Sequence, residues 1–300
     1  MTDIIFACNH CGMEISSGGN PAGGIVRCPQ CGNAITIPQK LISQGMTIGD
    51  YSMESLLGSG GMGEVWLANQ KSLGRKAAVK ILYPKFSGNS EFVARFIREM
   101  KLVGLLDHPN IVRAYEAGYD KGFYFLATFY VKGKTLESIL NDRKFFDEKA
   151  ALEIVAKVAE ALKYAWTKHS ILHRDIKPAN IMIDDEGTVK LVDMGISKDL
   201  GKASSLTMTG VVLGTPSYMS PEQAMSEKNI DHRSDIYSLG ATLYHMMTGV
   251  VPYQATNAMG IIARHISESL PSPRKINPAI SPGAEALLNK MMAKDKRGRQ

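Results

Sequence analysis

The chain has 300 residues, of which 44% are hydrophobic and 21% charged, the profile of a soluble globular protein with room for one large domain or two ordinary ones. No apolar run approaches the roughly eighteen residues of a membrane span, and Met1 to Ala7 has neither the basic nor the apolar region of a secretory leader, so a cytoplasmic chain is expected. The net charge of +6 comes from 35 scattered Lys and Arg against 29 Asp and Glu, clustering only at Lys294, Lys296, Arg297 and Arg299, and it implies no nucleic-acid or membrane partner.

All four cysteines fall in the first forty residues, as Cys8-Asn9-His10-Cys11-Gly12 and Cys28-Pro29-Gln30-Cys31-Gly32, with sixteen residues between the pairs. Two CxxC pairs at that distance fit a site holding Zn²⁺, and each following glycine can take the left-handed geometry that closes a metal knuckle. Disulfides are the competing reading, favoured in a short secreted domain but not in a chain without export features. Strands are expected at Ile4-Ile5-Phe6 and Ala34 to Ile37, with a flexible tip over residues 18–24. The segment resembles a zinc ribbon, residues 1–38, too small to fold without its metal. His10 reads as a solvated knuckle residue. Between the pairs there is one basic residue, Arg27, and no aromatic, so a protein partner or a purely structural role fits better than nucleic acid. Residues 39–50 read as a linker.

Tyr51 to Leu57 reads as a strand, and Gly58-Ser59-Gly60-Gly61-Met62-Gly63 turns it into a second, Glu64 to Ala68. Glycines let backbone N–H groups approach phosphates. Dinucleotide folds share a GxGxxG, but there a helix follows it, whereas here a strand does. Ala77 to Leu82 is a strand with Lys80 polar among apolar neighbours, either a surface lysine or a phosphate ligand. Ser90 to Leu106 has helical apolar spacing at Phe92, Phe96, Met100 and Val103, and Phe123 to Phe129 is a mostly apolar strand leading to Tyr130-Val131-Lys132-Gly133. Asp147 to His169 is a long amphipathic helix, apolar at Leu152, Val155, Val158, Ala159 and Leu162.

That helix delivers His173-Arg174-Asp175-Ile176-Lys177-Pro178-Ala179-Asn180. An apolar run, a turn at Asp184 to Gly187, the strand Val189 to Val192 and then Asp193-Met194-Gly195 follow. Phosphoryl transfer needs a carboxylate to take the acceptor's proton, a cation on the moving group and oxygen ligands for Mg²⁺. Asp175, Lys177 and the pair Asn180 and Asp193 suit those roles in turn.

With these motifs the chain closely resembles a eukaryotic-type serine/threonine protein kinase of the kind also found in bacteria, from about residue 47 onward. The resemblance implies an α+β fold of two lobes, a β-rich one over 51–130 and a helical one over 131–300. It implies ATP and Mg²⁺ (or Mn²⁺) as cofactors and protein Ser or Thr hydroxyls as acceptors. ATP would lie against Leu57, Gly58, Ser59, Gly60, Gly61, Met62, Gly63, Glu64 and Val65, with Lys80 on its phosphates and Glu99 paired to Lys80. Thr128 would guard the adenine pocket, backbone groups of Phe129 and Val131 would bond the base, and Val65, Ala78 and Met182 would sandwich it, although each of the last three could equally be core. Many relatives have an acidic residue in place of Phe129. The family's Thr215 position contacts the catalytic Asp and Lys, Glu222 pairs with a late arginine matching Arg299, and Asp235 braces the catalytic loop. His173 reads as a packed scaffold residue. Arg174 beside Asp175 implies control by phosphate on the loop 196–219, where Thr207 and Thr209 match sites of autophosphorylation and Ser204 and Ser205 are lesser candidates.

Two departures stand out. Met194 replaces the usual Phe, which should preserve packing while shifting the on/off balance. The chain also stops one residue after Arg299, where relatives continue into a last helix, so it reads as a fragment. A pseudokinase would have lost one of Lys80, Asp175, Asn180 or Asp193, and all four are present. A ribbon-led nucleic-acid binder would need more basic and aromatic residues.

Overall fold

The computed structural model describes residues 5–8, 10–11, 13–20, 24–37, 42–60, 63–82, 97, 100–194 and 216–299. They fall into two units, one of residues 1–104 with 114–130 and the other of 105–113 with 131–300.

The first unit starts with two small hairpins, β1 (Ile5–Ala7) with β2 (Glu14–Ser16) and β3 (Ile25–Arg27) with β4 (Ala34–Thr36). β3 begins just beyond the stretch expected to be a flexible tip. Cys8, Ile15, Cys28, Ile35 and Ile37 form a miniature core, too little apolar surface to offset the entropy of ordering the segment.

A six-stranded antiparallel sheet follows, built from β5 (Thr47–Ile48), β6 (Tyr51–Ser59), β7 (Gly63–Gln70), β8 (Arg75–Leu82), β9 (Ala114–Asp120) and β10 (Phe123–Phe129) in the order β5-β6-β7-β8-β10-β9. Alternation along the strands sends Trp66, Ala68, Ala77, Val79, Ile81, Phe123, Phe125 and Ala127 to one core. Ile42 and Ile48, from the stretch expected to be a linker, are buried in that core, and β5 pairs with β6. At Gly63 a Cβ would stand 2.0 Å from the Ile81 carbonyl oxygen, so glycine there is demanded by the close approach of β7 to β8. Residues 100–103 are helical, within the stretch expected as a helix.

The second unit is helical apart from a three-stranded sheet, β11 (Gly133–Thr135), β12 (Ile181–Asp184) and β13 (Val189–Leu191). Its helices are α1 (Leu136–Arg143), α2 (Glu148–His169), α3 (Pro221–Ala224), α4 (His232–Thr248), α5 (Ala258–Ser267), α6 (Pro273–Ile276) and α7 (Pro282–Met291). Asp147 caps α2 by accepting from the Ala150 amide, and Ser170 ends it in the left-handed conformation. The buried stripe of α2 is Ala151, Ile154, Val155, Val158, Ala161 and Ala165. It is rotated from the expected face, with Ala159 exposed and Leu152 and Leu162 half-buried. α2 packs against α4, and half of its buried stripe is Ala, whose small side chains suit a close helix–helix approach. α4 is buried nearly all round, and the hydroxyls of Ser238, Thr242 and Thr248 return to carbonyls one turn back. No helix among the described residues is long and apolar enough to cross a membrane.

Candidate active site and metal knuckles

Asp235, near the start of α4, is buried, and its two carboxylate oxygens accept from the amides of His173 and Arg174 at 2.8 Å each. The loop is thereby pinned at its backbone. Arg174 sits at φ +63°, a left-handed conformation that a non-glycine residue holds only when its surroundings fix it. His173 is fully buried. Its Nδ1 accepts from the Asp175 amide at 3.2 Å, so Nε2 carries the proton and donates to the Val192 carbonyl at 3.0 Å. Burial drives the pKa of His173 below its ordinary value, against the opposing charges of Asp235, Asp175 and Asp193. The histidine is a neutral strut, as its sequence context implied.

At the tip of the loop, Asp175 Oδ2 lies 3.0 Å from Lys177 Nζ and accepts from Asn180 Nδ2 at 3.0 Å. Asn180 Nδ2 also reaches the Asp175 carbonyl at 2.8 Å, and Asn180 is buried where a 3₁₀ turn, Pro178–Asn180, meets β12. The Asn180 carbonyl accepts from the Val192 amide at 2.9 Å, which ties it to the residue before Asp193. Asp193 is itself left-handed, at φ +54°. The second unit thus gathers Asp175, Lys177 and Asn180 into direct contact and joins Asp193 through its neighbour. Met182 lies on β12, half-buried, and Met194 is buried, so the substituted thioether does pack.

In the first unit, Lys80 pairs across the sheet with Val65 on β7 and Leu126 on β10, and Ala78 pairs with Thr128, whose hydroxyl donates to the Ala78 carbonyl at 3.3 Å. Strand alternation puts Val65, Ala78, Lys80 and Thr128 on the one face that points away from the core. Leu57, Gly58, Ser59 and Glu64 flank the turn between β6 and β7, which the Gly60 amide closes on the Gly63 carbonyl at 2.9 Å. No described atom comes within 4 Å of where a Cβ would stand at Gly58 or Gly60. Phe129 is exposed at the end of β10, and Val131 is buried in the second unit.

The four cysteine sulfurs lie within 4.8 Å of one another, with Cys8 to Cys31 at 3.7 Å and Cys11 to Cys28 at 3.6 Å. A tetrahedron of thiolates at a Zn–S bond of about 2.3 Å has edges of about 3.8 Å. A disulfide needs about 2.05 Å, and all four cysteines are free. Gly32 takes the left-handed conformation expected of it, at φ +71°. The His10 amide donates to Cys8 Sγ at 3.4 Å and Asn33 Nδ2 donates to Cys31 Sγ at 3.4 Å, so donors face these two sulfurs as they would face thiolates, whereas Cys11 Sγ lies 3.8 Å from an acceptor, Gln30 Oε1. Burial opposes ionisation of Cys28, but the amides of Cys31 and Gln30 prevail and bring it down to about 7. Against the backbone hydrogen bond with Met13, burial and the neighbouring thiols push Cys11 up to about 12, so in the absence of a cation the pair shares a proton. The donor set suits a soft divalent ion.

A family model described as the protein kinase domain matches residues 51–300. The chain belongs to the protein kinase family. It is 39% identical over 245 residues to a probable serine/threonine-protein kinase of Clostridium perfringens, covering 82% of this chain and 35% of that one. It is 37% identical over 247 residues to the serine/threonine-protein kinase PrkC of Bacillus subtilis, covering 82% and 38% respectively. The chain therefore spans well under half the length of these relatives. Among solved structures, the kinase domain of Mycobacterium tuberculosis PknI is similar at a TM-score of 0.70 and 27% identity, with 86% of this chain and 94% of that one covered.

The kinase's helical unit contains a buried polar cluster that the sequence reading missed. Fully buried His265 on α5 meets the Tyr237 hydroxyl at Nδ1, 2.9 Å away, and Lys294 Nζ donates to the Tyr253 hydroxyl at 2.9 Å and the His265 carbonyl at 2.8 Å. Desolvation, with Lys294 adding to it, pulls His265 down to about 4, from an ordinary value of 6.5. Between those values the unfolded chain takes up a proton that the native state refuses, so this histidine makes the fold less stable as pH falls from 6.5 towards 4. The contribution is about 3 kcal/mol. Urea melts at several pH values should show a flatter slope in His265→Gln than in the parent, and identical slopes would refute the assignment. The candidates Gly61, Met62, Glu99, Ser204, Ser205, Thr207, Thr209 and Thr215 lie outside the described residues.

Proposed function

We propose that the chain is a serine/threonine protein kinase that moves the ATP γ-phosphate to Ser or Thr hydroxyls of proteins. The observation that carries this reading is the clasp of Lys177 and Asn180 on one oxygen of Asp175. Asp175 would receive the acceptor hydroxyl's proton as its oxygen attacks phosphorus and the bond to the ADP oxygen breaks. Lys177, already beside that carboxylate, would offset charge on the transferring group, and Lys80 would hold the α- and β-phosphates. Asn180 and Asp193 supply two oxygen donors suited to Mg²⁺ or Mn²⁺, which neutralises phosphate charge when bound. The face of Val65, Ala78 and Thr128 would take the adenine with Met182, and Phe129 and Val131 would offer backbone groups to its edge. The open Cβ positions at Gly58 and Gly60 favour phosphate approach to the strand turn, because packing does not require glycine there. Glu99 would pair with Lys80, Thr215 would contact Asp175 and Lys177, and Thr207 and Thr209 would be autophosphorylated. Incubation with Mg²⁺, γ-labelled ATP and casein, followed by phosphoamino-acid analysis, should yield phosphoserine or phosphothreonine. Label on tyrosine alone would contradict the reading.

We further propose that Cys8, Cys11, Cys28 and Cys31 hold one structural Zn²⁺, that residues 1–38 form a zinc ribbon serving as a protein contact, and that the chain works in the cytoplasm, where ATP and reduced thiols coexist. Elemental analysis of reduced protein should find about one zinc per chain. Cys28→Ser should lower the zinc content several-fold and open the ribbon to proteolysis while residues 51–300 resist. Full zinc retention by Cys28→Ser together with Cys31→Ser would rule the site out.

A further inference from the structure

The catalytic loop is held from a second side by a residue that no kinase motif above assigned. Gln223 is the third residue of α3, where its side chain completes a capping box. Its Oε1 accepts from the Ser220 amide at 3.1 Å, while the Ser220 hydroxyl accepts from the Gln223 amide at 3.3 Å. That would satisfy the needs of a short helix. The other end of the same carboxamide does something more, since Nε2 donates to the Arg174 carbonyl at 2.8 Å. Only one orientation of the amide serves both contacts, because the Ser220 N–H requires an acceptor and the Arg174 carbonyl a donor.

Arg174 is the left-handed residue immediately before Asp175. Its amide is held by Asp235 and its carbonyl by Gln223, so both faces of the strained unit are gripped. The grip closes on itself. The Ser220 hydroxyl lies 2.7 Å from the hydroxyl of Ser234, the neighbour of Asp235 on α4. A ring of polar contacts therefore runs from α4 through the loop backbone to Gln223, through the N-cap of α3, and back to α4. The peptide unit that Gln223 holds is the one whose nitrogen belongs to Asp175, so its tilt sets where the carboxylate points.

We infer that Gln223 is a positioning residue for phosphoryl transfer, aiming Asp175 through the Arg174 carbonyl and linking that aim to the segment Pro216–Ser220 just before α3. This rests on the kinase reading of Asp175. A glutamine that serves only the cap would tolerate Gln223→Glu, because a carboxylate still accepts from the Ser220 amide and suits a helix N-terminus. The positioning role cannot tolerate it, since the donor to Arg174 is lost and a second acceptor faces the carbonyl. The two roles thus separate in one substitution.

The test compares the parent, Gln223→Glu and Gln223→Met, using casein and γ-labelled ATP with Mg²⁺. Gln223→Glu should keep the parent's melting midpoint and its KM for ATP within about twofold while kcat drops roughly ten- to a hundredfold. Gln223→Met, which loses both contacts, should lose kcat and melting midpoint together. Hydrogen exchange supplies a readout that needs no turnover: peptides over 173–180 should exchange faster in Gln223→Glu, with peptides from α4 unchanged. Parental kcat in Gln223→Glu, or unchanged exchange over 173–180, would overturn the assignment. A parent that transfers no phosphate defeats the kinase reading, while the exchange comparison still decides whether Gln223 holds the loop.

Discussion

Asp175→Asn should cut phosphoryl transfer by roughly two to four orders of magnitude while leaving the fold and ATP affinity in place. Asn has the shape of Asp and retains one oxygen that can meet Lys177 or Asn180, which both point at Asp175 Oδ2 in the parent. It cannot take up the acceptor's proton, because an amide oxygen is not a base at neutral pH. His173 and Asp235 fix the loop from beneath through backbone amides, so the substitution has no route to unfold it. The measurement is initial-rate transfer of label to casein, with ATP affinity from the displacement of a fluorescent analogue and a melting curve as control. If Asp175→Asn were as fast as the parent, the base would have to be sought elsewhere. If neither protein transferred label but both bound ATP, the chain would be a nucleotide-gated binding module.

Much of this site was legible in the sequence because its residues are close together there. Asp175, Lys177 and Asn180 span six positions, and the hairpin bringing Asp193 back is announced by an apolar run, a turn and a second strand. The shared face of Val65, Ala78, Lys80 and Thr128 follows from two-residue alternation once the strands are recognised. What was not legible depended on three-dimensional neighbours. Nothing in Ser220-Pro221-Glu222-Gln223 says that the glutamine's far end meets Arg174, forty-nine positions earlier. His265 and Lys294 are unremarkable in their local sequences and become a cluster only through α5 packing beside Tyr237 and Tyr253. Thr47–Ile48 is too short to read as a strand, so in the sequence the start of the sheet looks like linker. The rotated stripe of α2 has the same origin, since whether Ala161 or Leu162 faces inward is decided by the partner helix.

Arg299→Met should destabilise the helical unit by about 3–5 kcal/mol, the usual cost of leaving a buried charge without its counterion. Arg299 is the largest fully buried side chain of the described residues, and Glu222 on α3 is 3% exposed. The guanidinium meets that carboxylate at 2.7 and 3.0 Å, in a two-point fork. Its remaining hydrogens go to the carbonyls of Ala293, Arg233 and Lys294, so every N–H has an acceptor. Removing it strands Glu222 and three carbonyls in an interior that water does not reach. Because Glu222 is adjacent to Gln223, loss of the pair should loosen α3 and with it the grip on the Arg174 carbonyl. Activity should then fall alongside the melting midpoint, by about 10 °C on the scaling for a domain of this size. Replacing both charges, as Glu222→Leu with Arg299→Met, should recover part of the loss, since the cost lies mainly in the orphaned carboxylate. A single variant that melts with the parent would mean that water or a neighbouring cation reaches Glu222, and that the fork is not what anchors α3.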